Sequence, residues 1–233
     1  KQHKFTKVYD LQNSSRTSFY KRILFPNLGS YKWSSSETTL PANETKKEFD
    51  KKPVLERFNH QLKISGLKTF HTLRPDFSWS CSNIDILISK YNLSDFILLF
   101  PFCSEHLEQK RWPYYDQLIK MIKQNHPNLK IVIAPGPSEI EKAKKIDAVS
   151  ILTEDKAISI SELAGLIKKS KFVVANDTGP AHMAAHLNVN GLSLFGSHTT
   201  AHKVSIEREN FKAIQVNDLK NLSAEKVYER LVI

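Results

Sequence analysis

The sequence predicts an α/β protein whose second half is a Rossmann-like domain with a parallel sheet. From about residue 94, short apolar runs alternate with helical patterns of about ten residues, as in stacked βαβ units. The run Phe96–Phe100 (FILLF) is apolar throughout, as in a parallel strand covered on both faces. Polar residues follow three of the strands, at the edge where open parallel sheets bind ligands. We therefore expect a partial domain over residues 1–93 and a ligand-binding domain over residues 94–233.

The first 93 residues carry a weaker pattern. They predict a short strand over residues 8–11, then a polar turn and an aromatic-rich helix. Residues 29–52 are polar with almost no apolar periodicity, and they predict a long loop. Residues 53–66 place apolar side chains at helical spacing between a Pro and a Gly, which predicts a helix. We expect this region to be the remainder of another α/β domain.

The elements of the second half each follow from a local pattern. Strands are predicted at residues 96–100, 131–134, 172–175, 191–195 and 213–216. Residues 112–125 carry four apolar side chains on one helical face, and residues 136–145 read as a turn and a helix. Ser159 and Glu162 have the spacing of a capping box, which predicts that a helix begins there.

Composition narrows the class of protein without choosing a ligand. The net charge of +10 favours anionic partners such as nucleic acid, anionic lipid or phosphorylated ligands. The basic residues form no run of five and no zinc-finger or RNP-type signature, so we rank nucleic acid below membrane surface and phosphate ligands. No apolar run approaches the roughly 20 residues of a transmembrane helix. Cys81 and Cys103 form no CxxC pattern and are expected to be free thiols in a reducing cytosol.

The turn NDTGP after the strand FVVA suits a phosphate. Gly179 permits a close approach to the backbone, and Pro180 fits the first position of a helix. Free N–H groups and the positive dipole end at a helix start attract anions, and Thr178 adds a hydroxyl. Asp177 would repel phosphate, so it is expected to accept hydrogen bonds from sugar hydroxyls or backbone N–H groups. The alternative is that Asp177 or Thr178 only caps the helix.

The other two turns each offer one charged candidate. Lys110 precedes Trp112-Pro113 and could place a cation over a diphosphate, although a lone Lys is commonly a solvated surface residue. Glu139 follows a Gly-Pro-Ser turn and could accept ribose hydroxyls. Its alternative role is favourable placement of a negative charge in a first helical turn.

Two histidine pairs have a spacing that zinc sites use. His182 and His186 are four residues apart, as are His198 and His202. No Cys or acidic residue adds a ligand at a helpful spacing, and the HExxH pattern is absent, so we predict no metal site. The chain also lacks the Walker and GxGxxG fingerprints.

Taken in order along the chain, these turns resemble those of a known family. Pro-x-x-Ser, Lys-Arg-Trp-Pro, Gly-Pro-x-Glu, FVVANDTGPAHMAAHL and LFG occur together in this chain. The combination resembles glycosyltransferase family nine, the ADP-heptose:lipopolysaccharide heptosyltransferases and their relatives. The resemblance is close over residues 95–200 and looser over residues 5–75.

The resemblance implies a GT-B architecture of two Rossmann-like domains, and it implies roles for particular residues. The residues that would contact the donor phosphates or donor sugar are Ser104, Lys110, Asp177, Thr178, Gly179 and His182. Glu139 would hold the nucleoside ribose.

The resemblance also implies the reaction and its partners. The protein would transfer a sugar, heptose from ADP-heptose, to a lipopolysaccharide core acceptor, with inversion and with no metal or cofactor. It would be cytoplasmic, with peripheral contact to the anionic inner face of the inner membrane, and would bind no nucleic acid. A relative that uses another sugar or acceptor, and a nucleotide-sugar binding module without activity, are the alternatives.

The chain departs from the family pattern at three places. Phe102 stands where the family has a glycine in its first turn, and SHTTAHKV follows LFG where the family often has a Pro-Thr-Asp-Pro-like run. The family's acidic catalytic base has no counterpart in this sequence and would precede Lys1. We therefore expect an N-terminally truncated chain that binds donor without turnover.

Overall fold

The computed structural model describes residues 5–26, 29 and 32–233, and the chain divides into two compact units. The first unit comprises Lys1–Pro75 with Lys203–Ser205, and the second comprises Asp76–His202 with Ile206–Ile233.

The first unit contains one short pair of strands and three helices among its described residues. Strand β1 (Val8–Tyr9) pairs in parallel with β2 (Trp33–Ser34). The helices are α1 (Ser15–Leu24), α2 (Lys46–Phe49) and α3 (Val54–Ile64). The helix predicted over residues 53–66 is confirmed as α3.

The polar stretch over residues 29–52 is not a plain loop where the structure describes it. It contains β2 and α2, whose apolar residues Trp33 and Phe49 are 5% and 1% exposed. Thr45 and Glu48 form a capping box at the start of α2. The prediction of a long loop was wrong here because both elements are too short to produce an apolar period in the sequence.

The second unit is built on a six-stranded sheet in which every neighbouring pair is parallel. The strands are β3 (Phe96–Phe100), β4 (Lys130–Ile133), β5 (Val149–Ser150), β8 (Phe172–Asn176), β9 (Gly191–Phe195) and β10 (Phe211–Gln215). Their order across the sheet is β10-β9-β8-β3-β4-β5. All five residues of β3, of β8 and of β9 are buried, as the continuous apolar runs predict. A small antiparallel pair, β6 (Leu152–Thr153) and β7 (Lys156–Ala157), lies outside this sheet.

The helices of the second unit follow the predicted alternation. They are α4 (Asp85–Tyr91), α5 (Tyr115–Asn125), α6 (Ile140–Ala143), α7 (Ile160–Lys169), α8 (Gly179–His186) and α10 (Ala224–Tyr228). The short α9 (Ala201–Val204) has residues in both units, since Lys203 and Val204 belong to the first. Helix α5 buries Tyr115, Leu118, Ile119 and Ile122 in the core, which confirms the apolar face read from the sequence. None of the helices in the described part of the chain combines the length and apolar character needed to cross a membrane.

Residues 76–93 pack within the second unit, whereas the sequence placed the division after residue 93. Ser82 N–H donates to Ser161 O at 3.0 Å, and Phe77 N–H donates to His186 O at 3.1 Å. Ile84 and Leu87 are buried. The change in sequence pattern near residue 94 marks the first strand of the sheet. The pattern does not show that the segment before this strand packs against the helices of the same unit.

Candidate functional site

A cavity of about 490 Å³ lies at the carboxyl ends of β3, β4 and β8. It is lined by residues 100–104, 133–137, 157–160, Thr178 and Pro180, with Glu139 and Leu163. Most of these side chains are apolar, and the polar ones come from the turns that follow the strands. This is the sheet edge at which the sequence predicted a ligand site.

Asp177, directly after β8, is the centre of a charged cluster. Its Oδ2 accepts from Lys110 Nζ at 2.7 Å and from His198 Nε2 at 2.9 Å. Its Oδ1 lies 3.5 Å from His182 Nε2. The Asp177 side chain is 4% exposed, so the carboxylate is held by protein donors rather than by solvent.

This cluster keeps the Asp177 carboxyl ionised. Burial opposes ionisation, but hydrogen bonds from His182, Lys110 and His198 outweigh it and hold the pKa of Asp177 well below its ordinary value. By distance, the bonds from Lys110 and His198 are the stronger ones. The site therefore holds an ionised Asp177–Lys110 pair next to Thr178, which lines the cavity.

The KRWP sequence positions Lys110 through its tryptophan. Trp112 is fully buried, and its indole N–H donates to Leu222 O at 2.8 Å. The backbone N–H of Trp112 donates to Asn176 Oδ1 at 3.1 Å. The Tyr115 hydroxyl lies 3.2 Å from Phe100 O and 3.4 Å from the same Asn176 oxygen. These bonds tie the segment after β3 to the end of β8. Lys110, two residues before Trp112, is thereby brought to Asp177.

Helix α8 begins without a side-chain cap. Thr178 occupies the N-cap position, but its hydroxyl donates to Asn176 O at 3.2 Å and makes no capping bond. A Cβ added at Gly179 would have no neighbour within 4 Å, so the space above the first turn is open. The interpretation of Asp177 and Thr178 as mere caps is therefore wrong. The Ala181 and His182 N–H groups donate to Thr178 O at 3.1 and 3.3 Å, and Pro180 has no N–H, so the N–H groups of Thr178 and Gly179 are the ones at this helix start that could bind an anion.

Comparison with known proteins identifies the family. The model of glycosyltransferase family 9 (heptosyltransferase) matches residues 1–231. The chain belongs to glycosyltransferase family 9. This confirms the family that the turn motifs predicted.

The relatives of this family 9 chain include heptosyltransferases. Over 100 residues it is 30% identical to lipopolysaccharide heptosyltransferase 1 of Campylobacter coli, a match that spans 39% of this chain and 29% of that protein. E. coli heptosyltransferase WaaC with ADP superimposes with a TM-score of 0.64 at 18% identity, over 97% of this chain and 72% of that one. E. coli ADP-heptose lipopolysaccharide heptosyltransferase II gives a TM-score of 0.58 at 19% identity, over 76% of this chain and 60% of that one. The likeness shows that the fold class is the predicted α/β GT-B class.

The remaining predicted site residues of the family 9 chain border the same cavity. Glu139 Oε2 accepts from the Gly136 N–H at 2.7 Å and so closes its own turn. Ser104 is exposed and lies between the large cavity and a neighbouring one of about 270 Å³. The structure thus gathers Ser104, Glu139, Thr178 and the Asp177 cluster at one edge of the sheet, while their roles towards a donor stay predictions.

The histidines of this family 9 chain do not pair as the zinc spacing suggested. His186 Nδ1 accepts from Arg208 Nη2 at 3.2 Å. Burial, the Arg208 charge and the nearby His182 lower the pKa of His186 from 6.5 to about 4, so it is neutral at pH 7. Among the described residues, no group of three or more His, Cys, Asp or Glu side chains is arranged to hold a metal ion.

His198 is the site residue that sequence reasoning missed. It was considered only as a partner of His202, yet it contacts Asp177. The available signal was its place: His198 follows β9, and β9 lies beside β8. Turns after adjacent parallel strands meet at one edge, so the turn after LFG should have been included with the other three.

Proposed function

We propose that this family 9 protein transfers a heptose from ADP-heptose, or a similar sugar from an ADP-sugar, to a lipopolysaccharide core acceptor. The observation that carries the proposal is the ionised Asp177 cluster at the uncapped start of α8, beside the large cavity. In this proposal the second unit holds the donor.

The cavity suits the nucleoside. Its walls are mainly apolar with a few polar groups, which is the usual character of a site for a flat base with a sugar attached. Glu139 lies on its wall and would accept the ribose hydroxyls. Ser159 and Ser104 add hydroxyl groups to the same lining.

The start of α8 suits the diphosphate. Thr178 and Gly179 would direct backbone N–H groups at it, and Ser104 and His182 would lie close by. A transfer that proceeds without a metal must stabilise the leaving diphosphate with cations and N–H groups of the protein. Lys110 supplies such a cation at this position, and Asp177 would accept hydroxyls of the donor sugar.

The names of the relatives support the choice of donor and acceptor. One solved relative is described with ADP, another as an ADP-heptose lipopolysaccharide heptosyltransferase, and the Campylobacter coli relative as a lipopolysaccharide heptosyltransferase. A lipopolysaccharide precursor is anionic and anchored in the membrane. The net charge of +10 favours its approach and a peripheral contact with the cytoplasmic face of the inner membrane.

The test is a titration of ADP and ADP-heptose into the 233-residue chain by calorimetry. Lys110→Met should weaken both ligands about tenfold, because a charge-assisted bond to the diphosphate is lost. Asp177→Asn should weaken ADP-heptose more than ADP, because Asp177 faces the sugar. Lys123→Met is the matched control, since it breaks a surface ion pair with Asp147.

The outcomes separate the alternatives. Binding of neither ligand to the unmodified chain, or equal affinities of the Lys110 and control variants, would refute the donor site. Release of ADP in the presence of acceptor would favour the transferase over a nucleotide-sugar binding module.

A further inference from the structure

The donors around Asp177 divide unequally between its two oxygens. Oδ2 accepts from both Lys110 Nζ at 2.7 Å and His198 Nε2 at 2.9 Å. Oδ1 has His182 Nε2 at 3.5 Å, which is the outer limit of a hydrogen bond. The carboxylate is therefore held through Oδ2, and Oδ1 keeps most of its capacity to accept.

For Lys110 to leave the Asp177 carboxylate, another hydrogen-bond donor must stay bound to that carboxylate. The Asp177 side chain is 4% exposed, and that of Lys110 is 21% exposed. A buried carboxylate that loses its cation keeps an uncompensated charge, which strongly disfavours the departure. A lysine held in this way reaches a phosphate only if Asp177 remains satisfied.

His198 is placed to satisfy it. Its side chain is 10% exposed, and its ring stacks on Phe195 with centroids 6.2 Å apart and an interplanar angle of 13°. Its Nδ1 is buried and has no hydrogen-bond partner among the described residues. A buried N–H without an acceptor is costly, so the hydrogen belongs on Nε2, from which it is donated to Asp177. Packing fixes the ring, and its polar contact in the described part of the chain is with the carboxylate.

We propose that His198 is a positioning residue that allows Lys110 to change partners. Without donor, Lys110 and His198 share Oδ2 of Asp177. When the diphosphate of the donor binds, Lys110 moves to it, while His198 holds the carboxylate with Oδ1 free for a hydroxyl of the donor sugar. The inference rests on the proposed function, because the diphosphate is what draws Lys110 away.

Two variants of His198 test this inference. His198→Leu removes the hydrogen-bond donor to Asp177 and keeps an apolar side chain against Phe195. His198→Gln keeps an N–H group that can reach Asp177 over a similar distance. Calorimetry with ADP should show about tenfold weaker binding to the Leu variant, because Lys110 can no longer leave Asp177 freely. The Gln variant should bind within about threefold of the unmodified chain. Thermal unfolding of each variant verifies that it is folded.

A double-mutant cycle separates positioning from a structural role. In the Lys110→Met background there is no lysine to release, so His198→Leu should change ADP affinity by less than about twofold. A purely structural effect would lower affinity by the same factor in both backgrounds, and that result would overturn the inference.

A second measurement, the titration of the Asp177 carboxyl, requires no nucleotide or nucleotide-sugar. The Asp177 carboxyl can be followed by carbon-13 NMR against pH, with Asp177→Asn used for assignment. The charged or titratable groups that face it are Lys110, His182 and His198. The carboxyl should titrate at higher pH in the Leu variant than in the Gln variant or the unmodified chain.

These readouts distinguish the inference from the proposed function. If the unmodified chain binds ADP and the Leu variant binds it equally well, the inference is overturned and the proposed function stands. If the unmodified chain binds no ADP, the exchange of Lys110 is overturned together with the proposed function, even where the carboxyl titration shifts as expected.

Discussion

Helices α7 and α8 of the second unit pack against each other but begin in opposite ways. At the start of α7, Ser159 Oγ accepts from the Glu162 N–H at 3.2 Å, and the Glu162 carboxylate accepts from the Ser159 N–H at 2.8 Å. At the start of α8, Thr178 makes no capping bond, and the carboxylate before it binds side chains 67 and 21 residues away along the chain.

The difference separates a helix start whose polar side chains cap its own first turn from one whose polar side chains do not. In α7 the polar side chains satisfy their own first turn, so the partners are local. In α8 the carboxylate is committed to a long-range cluster, and the first-turn N–H groups receive no side-chain oxygen from Thr178. Helix α8 therefore lacks the local side-chain cap that α7 has.

The two helices also differ in the space around their glycines. This difference gives the largest expected effect, a loss of stability on substitution by alanine. A Cβ at Gly165 in α7 would lie 2.5 Å from Ser82 O and 2.9 Å from Ile84 Cγ2. Because the nearer atom is backbone, Gly165→Ala should lower the free energy of unfolding by about 3 kcal/mol. Gly179→Ala meets open space and should change it by less than about 0.5 kcal/mol. Urea denaturation of both variants measures the contrast.

The same pair separates stability from binding. The methyl group of Gly179→Ala would enter the space assigned to the diphosphate, so ADP should bind about tenfold more weakly to a chain of normal stability. Normal ADP affinity in Gly179→Ala would argue against a ligand above the first turn of α8.

The contrast between α7 and α8 also explains what the sequence could predict. The capping box of α7 was readable because its two residues lie three apart and act on each other. Buried strands were readable from continuous apolar runs such as Phe96–Phe100. Their carboxyl ends then indicated one edge for Lys110 and Asp177, although the residues are 67 positions apart.

What the sequence could not supply depends on packing in three dimensions. That His198 binds Asp177 follows from β9 lying next to β8, a neighbour relation that no local pattern encodes. That Trp112 carries Lys110 to this edge depends on the side chain of Asn176, which looked like an ordinary strand-end residue. Short elements such as α2 were not predicted, because a helix of four residues is too short to show an apolar periodicity in the sequence.

The next prediction concerns His186 in the last turn of α8, which is neutral at pH 7 in the folded chain. His186 in the folded chain takes up a proton near pH 4, whereas the unfolded chain does so near the ordinary value of 6.5. Between these values the unfolded state binds more protons, so stability falls as pH falls through this window. After allowance for partial exposure, the loss attributable to His186 should be about 2 kcal/mol.

His186→Asn tests this loss, because an asparagine oxygen can accept from Arg208 near the position of Nδ1 and takes up no proton in this range. Urea denaturation at several pH values should give a shallower decline for the variant than for the unmodified chain. The charged or titratable groups facing His186 are Arg208 and His182, and they are the same in both proteins. Parallel declines would contradict a buried neutral His186.

The smallest expected effect is the loss of stability on truncating the side chain at each helix start. Ser159→Ala removes the oxygen that accepts from the Glu162 N–H and should cost about 1 kcal/mol of stability. Thr178→Ala removes a hydroxyl and a methyl group at α8 but no capping bond, so it should cost less than about 0.5 kcal/mol. Urea midpoints of the two variants, measured at pH 7 without ligand, give the comparison. Equal losses would mean that Thr178 stabilises its helix as Ser159 does, and the start of α8 would then be a structural cap rather than a surface kept open for an anion.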